Sequence, residues 1–217
     1  IPGLGTICFH PSLLPIQRGP SSINWPIIWG AKKTGLTIFW PDDGLDEGDV
    51  LLQKEVEITA EDTLGSVYFN KIFPLGIEAI LEAVELIKGG NAPRMRQDDS
   101  LATYESWCRK ENAEIDWQRS ALEVYNLIRG CNPQPGAWTT FSDKVIQIFD
   151  VELTEGNGRV GRVCAIDAES LTINAGLGGI KIKRLRLGKG PKVDAVEFIM
   201  EHGLKVGDRF GIKAKKA

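Results

Sequence analysis

Only two histidines occur in the 217 residues, and the first, His10, lies in "ICFHPSLLPIQRG" between an apolar run and prolines that bar strand and helix alike. A second loop, "PDDGLDEGD", crowds Asp42, Asp43, Asp46 and Asp49 together. An imidazole brought beside a carboxylate can serve as general acid or base near neutral pH. Both loops follow strand-like runs. In open α/β sheets ligands bind beyond the carboxyl ends of strands, so the two loops could converge on one edge. Residue types alone leave a plainer alternative open, because a lone His after a strand is often just packed, and an Asp/Gly loop is often only a turn.

Other reactive residue types point elsewhere. His202, in "FIMEHGLKVGD", stands at an expected helix end, where a cation complements the dipole and Gly203 follows. Cys8, Cys108, Cys131 and Cys164 lie far apart with no CxxC pair, which gives neither a zinc knuckle nor a disulfide framework and fits a reducing cytoplasm. No phosphate loop, GxGxxG or HExxH occurs, so no metal is expected.

The elements that must position the two loops can be read from pattern. "LGTICF" at 4–9, "GLTIFW" at 35–40 and "VLLQKEVEIT" at 50–59 read as strands. Residues 22–30 suit a helix capped by Ser22, with Pro26 in its first turn and Gly30 at its end. Residues 63–88 carry helical spacing with an expected break at Pro74, and "SALEVYNLIRG" is an amphipathic helix capped by Ser120. From 144 onward the style changes to short alternating β-branched runs separated by Gly, Asn or Asp, the pattern of a small β-barrel of oligonucleotide-binding (OB-like) type. The expected organisation is an α/β first domain over 1–90 with a largely parallel sheet, a linker over 91–112, and a barrel domain over 113–217. Three strands are few for a doubly wound sheet, so the opening half of that domain is expected to lie outside this sequence.

Composition bounds the function class. No run approaches membrane-spanning length, and "IPGLGTICFH" lacks the features of a signal peptide, so a soluble cytoplasmic protein is expected. Residues 1–143 hold 12 Lys/Arg against 20 Asp/Glu, whereas residues 144–217 hold 14 against 9, so the two parts should meet different partners. "KIKRLRLGKGPK" would suit phosphate contacts, or equally a solvated barrel face.

Together, "HPSLLPIQRG" and "GLTIFWPDDGLDEGD" resemble the folate-dependent formyltransferase family, whose His-x-Ser-Leu-Leu-Pro loop is followed by an Asp/Gly loop. "ATYESWCRKENAEIDW" and "IRGCNPQPGAWT" are similar to that family's linker and barrel entry. The resemblance implies a partial Rossmann-like formyltransferase domain followed by an OB-like barrel, with His10 and Asp46 as the catalytic pair. It further implies that Ser12, Leu13, Leu14 and Pro15 shape the site floor, and that Asp42, Asp43, Gly44 and Leu45 lie against the pterin of 10-formyltetrahydrofolate. Most of the family places Asn where Cys8 stands, and losing such an oxyanion donor costs about 2.7–4 kcal/mol. The hydrolase domain of 10-formyltetrahydrofolate dehydrogenase has an apolar residue there, and "HPSLLP", "SSINW", "IFWPDDGLDEGDVLLQKE" and "APRMRQ" resemble that branch. The implied function is formyl transfer from 10-formyltetrahydrofolate to water or an amine. Methionyl-tRNA formyltransferase, with initiator tRNA on the basic second domain, is the alternative, and a folate- or partner-binding homologue without turnover is a third.

Overall fold

The computed structural model describes residues 3–211. Its contacts divide the chain into two units, Ile1–Cys108 and Arg109–Ala217.

In the first unit, β1 (Cys8–His10), β2 (Lys33–Phe39) and β3 (Val50–Glu57) form a sheet in that order. Both pairings are antiparallel, with His10 opposite Thr37 and Leu36 opposite Lys54. The largely parallel sheet expected from alternating strand and helix patterns is therefore corrected. Parallel neighbours need a crossover connection of a dozen or more residues, usually helical, whereas the short stretch between β2 and β3 contains no helix and simply returns the chain. The intervening α1 (Asn24–Ile28) is one short turn, and Ser22 does not cap it. The Ser22 hydroxyl instead donates to the Pro11 carbonyl at 3.2 Å, tying the helix entry to the His10 loop.

No break occurs at Pro74. Thr63 and Ser66 form a reciprocal cap at the start of α2 (Leu64–Ser66), a π-type turn follows over Val67–Ile72, and α3 runs over Phe73–Lys88. Proline cannot donate to a carbonyl four residues back, and here it sits in the first turn of α3, where that donor is not needed. The widened turn before it carries the helix through. Ala79 and Ala83, both fully buried, let α3 lie close to Leu36, Ile38, Leu51 and Leu52 of the sheet.

The second unit opens with α4 (Ala121–Gly130), capped by Ser120 and Glu123 as its sequence announces. Strands β4 (Trp138–Phe141), β5 (Lys144–Thr154), β6 (Val163–Ile166), β7 (Leu171–Asn174) and β8 (Gly179–Leu187) follow in the spatial order β4-β5-β8-β7-β6. A short β9 (Lys192–Asp194) pairs with β8, and α5 (Ala195–His202) ends at left-handed Gly203, with His202 in its last turn. Val163 N–H donates to Asp208 O, and Gly211 N–H donates to Thr140 O, so residues 207–211 join β6 to β4 and close the curled sheet. Ile146, Ile148, Ile173, Ile180, Ile182, Phe198 and Phe210 fill its interior. The architecture is an α/β unit followed by a small barrel. Among the described residues, no helix is long and apolar enough to cross a membrane.

Candidate active site

His10 is the last residue of β1, so its backbone is fixed by the sheet while the chain beyond it turns away. Side chains alternate along a strand, which puts Cys8 and His10 on one face and Phe9 on the other. The imidazole side chain is 8% exposed. Its Nε2 lies 2.8 Å from the Gln17 carbonyl, which can only accept, so Nε2 carries a hydrogen. Its Nδ1 faces Asp46 Oδ2 at 3.5 Å. The edge that can exchange a proton is thus the one turned toward the carboxylate.

The loop after His10 rests on a buried polar post. The Thr37 hydroxyl accepts from Leu14 N–H at 3.1 Å and donates to the Ser12 carbonyl at 2.7 Å. Gln53 Nε2 donates to both Leu14 O and Thr37 Oγ1, and Ser12 Oγ donates to Ile16 O. Ser12 and Leu14 are buried, Leu13 and Pro15 partly so. Leu13 presses on Gly35, where an added Cβ would lie 2.5 Å from the leucine side chain and 2.3 Å from Lys54 O. These four residues are held in place from β2 and β3.

Asp46 sits in the second loop with φ +57°, a left-handed conformation that costs a non-glycine residue on the order of 1 kcal/mol. Gly19 N–H donates to its Oδ2 at 2.8 Å, aiming the carboxylate at His10. The loop doubles back at Gly48, where a Cβ would fall 1.8 Å from Trp40 O. Asp42, Asp43, Gly44 and Leu45 are exposed, with Gly44 N–H donating to Asp42 Oδ1. Of the candidate residues, the structure brings His10 and Asp46 together, holds Ser12 to Pro15 by hydrogen bonds to Thr37 and Gln53, and leaves 42–45 open to solvent.

Sequence reasoning missed the support from the stretch expected as a linker. Residues up to Cys108 belong to the first unit: Met95 pairs with Val50, and Tyr104 lies against Arg18. Gln97 Nε2 donates to the carbonyls of Asp46 (2.9 Å) and Gly48 (2.7 Å). Its Oε1 accepts from Arg18 Nε and Nη2, and Arg18, 1% exposed, also reaches Asp99 at 2.8 Å and the Tyr104 hydroxyl at 2.6 Å. Burial works against the guanidinium charge, yet Asp99 and Tyr104 outweigh it and raise the Arg18 pKa.

Comparison with known proteins gives the chain relatives. The formyl transferase family model matches residues 1–84, and the model of the formyl transferase C-terminal domain matches residues 108–203. Methionyl-tRNA formyltransferase of Syntrophus aciditrophicus (strain SB) is 36% identical over 212 residues, 97% of this chain and 68% of that protein. Cytosolic 10-formyltetrahydrofolate dehydrogenase of Homo sapiens is 48% identical over 152 residues, 70% of this chain and 17% of that protein. The Xenopus laevis dehydrogenase is 46% identical over 153 residues, and the chain spans only about a sixth of such relatives, 17% of that protein. HypX from Aquifex aeolicus in complex with tetrahydrofolic acid matches at a TM-score of 0.77 and 22% identity, over 97% of this chain and 39% of that one. At that identity the likeness is one of fold.

Proposed function

The chain belongs to the formyl transferase family, and on that premise we propose that it moves the formyl group of 10-formyltetrahydrofolate to water or to an acceptor amine. The observation that carries this reading is the mostly buried His10 with Nδ1 3.5 Å from Asp46 Oδ2, each held by a separate backbone contact. 10-Formyltetrahydrofolate is a substrate here and supplies the formyl carbon. The exposed loop Asp42–Leu45, beside the pair and bent back at Gly48, suits a flat polar heterocycle, and Ser12 to Pro15 give the site a rigid floor.

His10 takes a proton from the attacking water or amine on its Asp46-facing edge and returns it to the departing folate nitrogen as the carbon–nitrogen bond breaks. The Gln17 carbonyl keeps the ring oriented through Nε2–H, and Asp46 offsets the charge that the ring gains at Nδ1. With water the products are formate and tetrahydrofolate; with an amine they are a formamide and tetrahydrofolate. Cys8 shares a strand face with His10, and a thiol is a weak donor where an amide would be a strong one. That favours acceptors for which the proton pair does most of the work.

One further feature favours water or a small amine over tRNA. Lys181, Lys183 and Arg184 of β8 face Asp167, Glu152 and Asp150, so much of the basic stripe is neutralised within the barrel. A cytoplasmic setting is part of the same proposal, supported by four free cysteines.

The test is turnover of 10-formyltetrahydrofolate by the intact protein, with and without amines. His10→Ala and Asp46→Ala are each expected to slow tetrahydrofolate formation by about 100-fold or more. Wild-type rates in both would remove the catalytic assignment, and tight folate binding without any turnover would favour a binding role.

A further inference from the structure

One short segment touches both members of the His10–Asp46 pair. Gln17 offers its carbonyl to His10 Nε2, and Gly19 offers its N–H to Asp46 Oδ2. Between them Arg18 turns inward and engages Gln97, which holds the Asp46 carbonyl. The hydrogen-bond chemistry of this chain of contacts permits only one arrangement. Arginine has donors and no acceptor, so the Gln97 oxygen must face it. The Gln97 NH2 group is then committed to the loop side, where two carbonyls, Asp46 O and Gly48 O, await donors. Turning the amide over would set oxygen against two oxygens and NH2 against a guanidinium. The network is closed at its outer end by the Tyr104 hydroxyl, which donates to Glu47 Oε1 at 2.5 Å, the residue next to Asp46.

We propose that Gln97, oriented by buried Arg18, is a positioning residue for the formyl-transfer reaction: it holds Asp46 in its left-handed conformation so that the carboxylate stays within proton-sharing reach of His10. This rests on the catalytic reading of His10 and Asp46 given above. Three observations bear on it together. Asp46 is one of few non-glycine residues with positive φ, and such a conformation persists only where surroundings over-determine it. Its carbonyl and its carboxylate are both gripped, the first by Gln97 and the second by Gly19. The two grips come from sequence-distant segments that are themselves joined, since Arg18 pairs along its backbone with Thr103 and Glu105 while its side chain reaches Gln97. Gln97 touches no reacting group, and its effect passes through Asp46.

The test exchanges one atom group. Gln97→Glu keeps shape and the Arg18 contact but replaces the donor that serves the loop carbonyls. In the intact protein, kcat for tetrahydrofolate formation from 10-formyltetrahydrofolate is expected to fall about 10- to 100-fold with KM within about twofold. The pH dependence of kcat should change as well, which a loss of fold stability alone would not produce at a temperature well below unfolding. In an Asp46→Asn background, Gln97→Glu should cost nothing more, because the residue through which it acts is already lost. Wild-type kcat in Gln97→Glu, or a further loss of the same size in the Asp46→Asn background, overturns the positioning role while leaving the pair's catalytic role intact. Full activity in Asp46→Asn itself overturns the reading beneath it. If Gln97→Glu does not fold, Gln97→Met, of similar length and without a donor, carries the same two comparisons.

Discussion

The two units bury different things. In the first, side chains with polar or charged groups lie deep: His10, Ser12, Arg18, Thr37 and Gln97 are each no more than 7% exposed, and they bond to one another or to loop backbone. In the second, the interior of the curled sheet is branched aliphatic and aromatic, the buried Arg129 bonds Asn126 within α4, and charges of β8 are carried outside in ion pairs such as Lys183–Glu152 and Lys181–Asp167. An apolar core tolerates a change of shape at a graded cost, whereas a polar network has one satisfied arrangement and fails when a single donor is lost. The first unit is built to hold loops still; the second is built to stay folded.

That contrast can be broken or sharpened by substitution. The largest stability effect is expected in the barrel: Ile148→Ala, at a fully buried position, should cost about 2–5 kcal/mol, read by denaturant unfolding, with turnover of the folded protein unchanged. A loss of kcat without a loss of stability would contradict the division of labour. Next comes Thr37→Val in the first unit, which leaves Leu14 N–H without its acceptor and should cost about 1–3 kcal/mol while also lowering turnover by loosening the loop. An effect on stability alone would mean the floor is scaffolding only. The smallest is at Asp62. Burial alone would raise its pKa, but Lys71, Thr59 N–H and Ser66 together hold it below the ordinary 3.8. A carboxylate lowered on folding adds stability that is present above its ordinary pKa and lost as pH falls through the folded value. Acid unfolding of Asp62→Asn should therefore be less steep below about pH 4 than that of the wild type, and parallel curves would remove Asp62 from the acid response.

Much of this was legible from local signals. The Ser120 cap and the alternating barrel strands announce themselves within a few residues, because dihedral limits and periodicity act locally; the loops of His10 and Asp46 stand out by composition, while the choice of Asp46 among four carboxylates came from the family resemblance. What escaped was decided at long range. The direction of β2 against β1 depends on how a loop returns, not on the strands' composition, and the pattern of strand, helix, strand suggested a crossover that the one-turn α1 does not make. Arg18 and Gln97 stand 79 positions apart, and nothing around either residue marks it for burial against the other. Ser22 has the composition of a helix cap and spends its hydroxyl on the Pro11 carbonyl instead, a competition between two nearby acceptors that only the folded chain resolves.

The placement of residues 207–211 between β6 and β4 also sets an order of events during synthesis. Domains generally complete as units while the chain emerges from the ribosome, N-terminal first. Every contact described among residues 3–108 can form once Cys108 is made, including the grip of Gln97 on Asp46. The barrel remains an open ribbon with two bare rims until its final stave arrives, so a translational pause shortly before residue 207 would leave those rims waiting for any other strand within reach.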